Sequence, residues 1–209
     1  MRKQGLLHEG LDEIFEEEEL KLSVTYFLKQ RWICINLFVM TVVWLATSFD
    51  SYLLQFLVAT FKSEFKSGIG LGVADIGAFA AAGFVYQKLG AKISLIGAYT
   101  VATISGIVIL SYGLQHQDAW TFVLLVFTAR LGISFAFNIV FVAHAPLFPT
   151  LFSATAFGFC NFFSRAFSAS SSIFAALEEP VPMILFTSLA GITAILAFFL
   201  QTNPQSKSS

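Results

Sequence analysis

The chain has 209 residues, of which 56% are hydrophobic and 12% are charged, and its mean hydropathy is +0.77. A soluble domain carries about 25% charged residues, so this composition indicates a protein that is solvated by lipid. The net charge of -1 excludes the basic surface that nucleic-acid binding requires, and we expect no nucleic-acid partner.

The chain begins with an acidic region over residues 1–31. Its glutamates recur from Glu9 to Glu19, without the basic start and short apolar core of a secretory signal. We expect an acidic tail or a short helix on the membrane surface here. Residues 202–209 are predicted to form a polar C-terminal tail.

Six apolar segments follow the acidic region. A bilayer core of about 30 Å is crossed by about 20 helical residues, and this length predicts spans at residues 32–61, 69–86, 93–114, 120–143, 154–176 and 181–200. The short connections between them contain glycine, proline or polar residues. The sequence therefore predicts an all-α membrane protein whose residues 32–201 form one six-helix transmembrane bundle.

Basic residues near the segment ends predict the orientation of this multi-pass integral membrane protein. With the amino terminus on the inner side, only Lys62 and Lys66 lie on the outer side. The inner side then holds a larger set, namely Lys21, Lys29, Arg31, Lys88, Lys92 and Lys207. We expect both termini on the inner, cytosol-like or matrix-like side, although the sequence does not indicate which membrane.

Small residues at helical spacing predict close packing between helices, because they let two backbones approach within lipid. One such stripe occupies the second segment and consists of Gly68, Gly72, Ala74, Ala78 and Ala82.

Four charged residues lie inside the predicted spans: Asp50, Asp75, Arg130 and Arg165. Each costs about 2.5–3.5 kcal/mol at the centre of a lipid-exposed helix, so each is expected to face protein or water. One interpretation is a polar substrate cavity or a set of coupled ion pairs, to which Asn138 and Asn161 could contribute. The other is a set of fixed ties between helices. Both interpretations remain open from the residues alone.

No cluster of residues indicates catalysis or cofactor binding. Cys34 and Cys160 lie in apolar runs, and no Cys or His pair has the spacing of metal ligands. There is no nucleophile elbow or phosphate loop. We expect no enzymatic activity, no metal and no cofactor.

Several motifs resemble the C-terminal half of major facilitator superfamily transporters, in particular the organic ion and sugar porters. Residues 48–52 (SFDSY) are similar to transmembrane helix seven of that family. Residues 83–92 (GFVYQKLGAK) resemble its cytoplasmic loop between helices eight and nine. Helices ten and eleven are resembled by residues 129–138 (ARLGISFAFN), 147–150 (LFPT), 154–158 (ATAFG) and 164–165 (SR).

The resemblance implies that the six segments correspond to helices seven to twelve. In that fold helices seven, eight, ten and eleven border the substrate cavity, and the four intramembrane charges fall on those helices. Arg165 matches an arginine that is implicated in handling substrate in the organic ion porters. The resemblance thus implies a cavity role for the charges.

The cytoplasmic gating motifs depart from the family pattern. Lys88, Gly90 and Lys92 are kept. An acidic residue of the loop motif is replaced by Gln87, and the glutamate and arginine that flank the Leu-Phe-Pro-Thr motif are replaced by Pro146 and Ser153. Three charges of the gating network are therefore absent.

Two functions are compatible with this pattern. The chain could be a half-transporter for a small organic solute that works only as a dimer or with a partner half, because these carriers move two halves around a central site. Alternatively, it could be a transport-inactive relic that serves as a structural accessory subunit of a larger membrane complex. In both cases we expect the lipid bilayer and another membrane protein as partners.

Overall fold

A computed structural model describes residues 29–61, 64–117 and 119–201, so the acidic and polar tails predicted at the two termini lie largely outside the described residues. The secondary structure of the described part is helical throughout. Its elements are α1 (Arg31–Val58), α2 (Glu64–Ser111), a short 3-10 turn (Gly113–Gln115), α3 (Trp120–Leu147), α4 (Thr150–Ser168), α5 (Ser171–Ala175) and α6 (Val181–Ala197).

Three of the described helices are long and apolar enough to cross a membrane: Arg31–Val58, Lys66–Ser111 within α2, and Trp120–Leu147. Helix α6 is equally apolar but shorter, with 17 residues. The all-helical class is confirmed, and the three long apolar helices support a membrane protein. The count of six spans remains a prediction.

Helix α2 changes direction at Gly90. This glycine has φ 74° and ψ 173° inside 48 residues that are otherwise helical, and this region of backbone space is essentially restricted to glycine. It divides α2 into a first arm (residues 64–89) and a second arm (residues 91–111).

Contacts with α3 show that the two arms are antiparallel. In the first arm, Gly70 lies against Val123 and Asp75 bonds to Arg130, so this arm runs in the same direction as α3. The second arm runs the opposite way, because Gly132 lies against Ala98 whereas Ser105 bonds to the earlier Thr128 at 3.0 Å. The chain therefore reverses at Gly90, and both arms pack along one helix.

A close helix crossing lies at Gly132 of α3. A Cβ atom placed on this residue would lie 2.7 Å from the carbonyl oxygen of Ala98 and 2.9 Å from the amide nitrogen of Ala102. Real Cβ atoms do not approach backbone so closely, so glycine is required for this crossing. Gly132 was not among the predicted packing residues.

The predicted small-residue stripe divides into two parts. Ala74, Ala78 and Ala82 are buried. A Cβ atom on Gly68 or Gly72 would meet no other atom within 4 Å. These two glycines line an open cavity, and the close helix contact expected there is not seen.

Helix α1 is antiparallel to α3 and parallel to α4. Trp44 packs on Phe141, and Phe61 near the other end of α1 packs on Phe122. Along α4, the hydroxyl of Thr41 lies 3.4 Å from the sulfur of Cys160, and Ser164 donates a hydrogen bond of 2.6 Å to Ser48.

The beginning of α1 and the chain after α6 lie at the same end of the bundle, which we call the near end. There the side-chain amide of Asn36 donates to the carbonyl oxygen of Gln201 at 2.9 Å, and the Gln201 amide donates back to Asn36 at 2.9 Å. At the opposite, far end Gln117 donates to Glu179 at 3.2 Å. The two termini of the bundle are therefore held on one side.

The degenerate gating positions lie towards the near end. Gln87 and Lys88 are exposed just before the Gly90 reversal, and Lys92 is half-buried just after it. Pro146 lies inside the last turn of α3 and does not end the helix as expected, because α3 continues to Leu147. Ser153 lies in the first turn of α4, which begins at Thr150 rather than at residue 154.

Candidate substrate site on the open face of the bundle

A two-pronged ion pair joins the first arm of α2 to α3. The Nε of Arg130 donates to Oδ1 of Asp75 at 2.8 Å, and its Nη2 donates to Oδ2 at 2.9 Å. This fork geometry holds both groups in one orientation. The side chain of Arg130 is only 7% exposed, whereas that of Asp75 is 31% exposed.

Two serines complete the bonding of this pair. The Nη1 of Arg130 donates to the carbonyl oxygen of Ser51 at 2.8 Å and to its hydroxyl at 2.9 Å. Ser134, one helical turn after Arg130, donates its hydroxyl to Oδ1 of Asp75. The pair thereby ties α1, α2 and α3 together, and its charges are satisfied by protein.

A cavity of about 330 Å³ opens beside the ion pair. Asn138 lines it and donates its side-chain amide to the carbonyl oxygen of Ser134 at 2.7 Å. The volume is at the lower end of the range for small-molecule sites, about 300–1,000 Å³. The remaining lining is Ser51, Tyr52, Gln55, Asp75, Phe79, Arg130, Ser134 and Phe137.

A wider cavity of about 790 Å³ continues from this one towards the far end, between α1 and the first arm of α2. Gln55 and Asp75 line both cavities. Gly68 and Gly72 line the wider one. Together the cavities form a groove on one face of the bundle.

Arg165 lies on the same face, on α4. Its Nη1 donates to the hydroxyl of Tyr52 at 2.9 Å, and its Nε donates to Oδ1 of Asn161 at 3.4 Å. Tyr52 also lines the cavity beside the ion pair. No carboxylate of the described chain forms an ion pair with Arg165, whose guanidinium is exposed and lines a third cavity of about 590 Å³.

Asp50 does not reach this groove. It lies on α1 next to Ser51, but its side chain is fully buried, and neither carboxylate oxygen has a hydrogen-bond partner among the described residues. The four predicted intramembrane charges thus separate into one bonded pair, Asp75 with Arg130, and two unpaired members.

Sequence reasoning missed Ser51, Tyr52 and Ser134 as members of the site. Ser134 could have been found, because a residue four positions after Arg130 lies on the same helix face. Ser51 and Tyr52 belong to the residues 48–52 motif, but only Asp50 was singled out from it. No group of three or more possible metal ligands occurs in the described ranges.

The chain is similar in sequence to Solute carrier family 22 member 13 from Homo sapiens, with 25% identity over 162 residues. The match covers 76% of this chain and 29% of that protein, so the chain spans less than a third of its relative's length. No protein-family model matches the chain.

This similarity and the apolar helices agree with the resemblance to major facilitators. The chain is a transporter-like integral membrane protein. Its relative is a solute carrier by name.

Proposed function

We propose that this chain forms one half of a membrane transporter for a small organic solute, equivalent to the C-terminal half of a major facilitator. It works as a dimer or with a partner half. The groove between α1 and the first arm of α2, together with the Arg165 cavity, is the surface that such a partner closes. Asp75, Arg130, Arg165, Asn138 and Asn161 line this surface.

The exposure of Arg165 carries the proposal. It lies in the last turn of α4, about 22 Å from Thr150 and about 15 Å from Ala175 at the end of α5. Its neighbours Phe162 and Phe163 are exposed as well. A guanidinium facing lipid at that depth costs about 2.5–3.5 kcal/mol. A partner that encloses a water-filled cavity removes this cost.

The alternating directions of the helices support the half-transporter architecture. The antiparallel arms of α2 provide two passes, and α1, α3, α4 with α5, and α6 provide one each. We propose that these are six membrane crossings with both termini on the inner side. Carriers of this class place their substrate near the midplane between two such bundles.

The difference between the two arginines indicates a solute with an anionic group. Arg130 already has Asp75 and Ser51 as partners, whereas Arg165 is held only by neutral groups. An anion can therefore pair with Arg165 without displacing a protein carboxylate. Phe157 and Phe162 line the same cavity and offer apolar contact to the rest of the solute.

The test is uptake of labelled benzoate, an aromatic carboxylate, and tetraethylammonium, an organic cation, by proteoliposomes that contain the chain with whatever protein copurifies. We expect benzoate uptake that is lost in Arg165→Ala, because the anion loses its cationic partner. Arg31→Ala is the matched control, since Arg31 is an exposed arginine at the beginning of α1. Uptake that Arg165→Ala leaves unchanged would contradict the role of Arg165 in binding the anion. No uptake of any solute in a full panel of small anions and cations would contradict transport.

The alternative function, a structural accessory subunit, is favoured by the missing gating charges at Gln87, Pro146 and Ser153. The fully bonded Asp75–Arg130 pair is also compatible with a static tie between helices. An accessory subunit copurifies in fixed stoichiometry with a larger complex, and that complex keeps its composition in Arg165→Ala. A homogeneous dimer that transports benzoate would exclude this alternative.

A further inference from the structure

Asp50 lies in the most polar stretch of α1, but its side chain forms none of the hydrogen bonds that its polar neighbours form with other helices. One turn earlier, Thr47 bonds to the hydroxyl of Tyr99. The flanking residues also have partners, since Ser48 accepts from Ser164 and Ser51 accepts from Arg130. The Asp50 carboxyl is fully buried between these contacts, and both of its oxygens lack a partner among the described residues.

The titratable and charged groups nearest to Asp50 on the neighbouring helices are engaged elsewhere. The buried His144 of α3 packs on Trp44, six residues before Asp50 on α1. On α2, Asp75 bonds to Arg130, and Tyr99 donates to the carbonyl oxygen of Val43 at 3.0 Å. On α3 and α4, Arg130 and Arg165 have the partners described above. Helices α5 and α6 contain no titratable residue.

A bare carboxylate in this position would be very unfavourable. An unpaired ion inside a protein costs several kcal/mol even after relaxation, and such groups are neutralised instead. Within a lipid-surrounded bundle, no bulk water lowers that cost.

We propose that Asp50 is a proton-binding site, neutral in this arrangement of the bundle, and that a proton held there is the coupling ion of transport. The second part rests on the proposed function. Ser51 and Tyr52, the next two residues, hold Arg130 and Arg165 on the groove side. Rearrangement of those arginines around a solute would therefore move the helix turn that carries Asp50 and give it access to water.

Infrared spectroscopy of the reconstituted protein with its native partners tests the site without requiring transport. A protonated carboxylic acid has a carbonyl stretching band that a carboxylate lacks. We expect this band at neutral pH in the wild type and in Asp75→Asn, and its loss in Asp50→Asn. A difference spectrum between wild type and Asp50→Asn without this band would overturn the proposal.

Labelling with dicyclohexylcarbodiimide provides a second readout. The acid adds across one C=N bond, with its proton going to nitrogen and its oxygen to carbon, and the adduct rearranges to an N-acylurea that keeps all atoms of both reagents. We expect mass spectrometry to locate this adduct at Asp50 and not at the ion-paired Asp75. Labelling of Asp75 in preference to Asp50 would contradict the assignment.

Proteoliposomes with an imposed pH gradient test the coupling. We expect the gradient to accelerate benzoate uptake in the wild type and to have no effect on benzoate uptake in Asp50→Asn. An equal effect of the pH gradient on benzoate uptake by the wild type and by Asp50→Asn would overturn the proposal that Asp50 binds the coupling proton. The infrared band together with no uptake of any solute would support the proton site while contradicting the proposed transport function.

Discussion

The ion pair between Asp75 and Arg130 is bonded on every side, and this limits what it can do. Four hydrogen bonds of Arg130 end on Asp75 and Ser51. The pair is therefore better suited to positioning helices around the groove than to releasing a charge. Arg165, with only neutral partners, is the residue that a solute can recruit.

Removing either member of the pair should destabilise the protein, because the other is left without its counter-charge. For Asp75→Asn we expect a loss of about 1–3 kcal/mol in the free energy of unfolding, less than for a fully buried pair since Asp75 is partly exposed. Unfolding in mixed micelles measures this loss. The double variant Asp75→Asn, Arg130→Gln should cost less than the sum of the two single variants.

Glu178→Gln is the control for this measurement, because it removes an exposed carboxylate between α5 and α6 and should have no effect. Additive losses in the double variant would show that the pair contributes no coupling energy.

At the scale of elements, Gly90 decides that α2 is a pair of antiparallel arms. Gly90→Ala forces a side chain into a backbone region that only glycine adopts readily, at a cost of about 1–3 kcal/mol. We expect a lower thermal midpoint in detergent.

Gly97→Ala is the matched control for the Gly90 substitution. It lies in the second arm, where an added Cβ meets no other atom within 4 Å, and alanine in place of helical glycine is favourable by about 0.5–1 kcal/mol. Equal midpoints for the two variants would show that the reversal does not depend on Gly90.

At the scale of the whole molecule, the exposed aromatic face around Arg165 should be covered by protein. Benzoylphenylalanine in place of Phe162, which is 69% exposed, should photo-cross-link to a second copy or to a partner half in native membranes. The same probe in place of Ile195 on α6, 63% exposed, should capture only lipid. Adducts identified by mass spectrometry distinguish these outcomes. Only lipid at both positions would contradict a covered face.

Most of the helices could be predicted, because an apolar segment can be recognised from neighbouring residues alone and the bilayer thickness sets the length of a spanning helix. The predicted segments at residues 32–61 and 120–143 overlap α1 and α3 closely. The predicted end of the fourth segment at residue 143 was wrong, since α3 continues through Pro146 to Leu147. A proline in the last helical turn removes only the bond of its own missing N–H group. The break between two segments near Gly90 was anticipated, but not that a single glycine makes the reversal between two helical arms.

The sequence by itself determined that the protein is suited to lipid, that it is helical and which four charged residues lie in its apolar segments. These properties follow from composition and from the apolar runs along the chain. The tertiary structure alone decided that Asp75 meets Arg130, that Arg165 lines a separate exposed cavity and that Asp50 is buried without a partner among the described residues. Those outcomes depend on how each helix is rotated about its axis, and close crossings such as that at Gly132 set this rotation. The spacing of residues along the sequence does not specify the rotation.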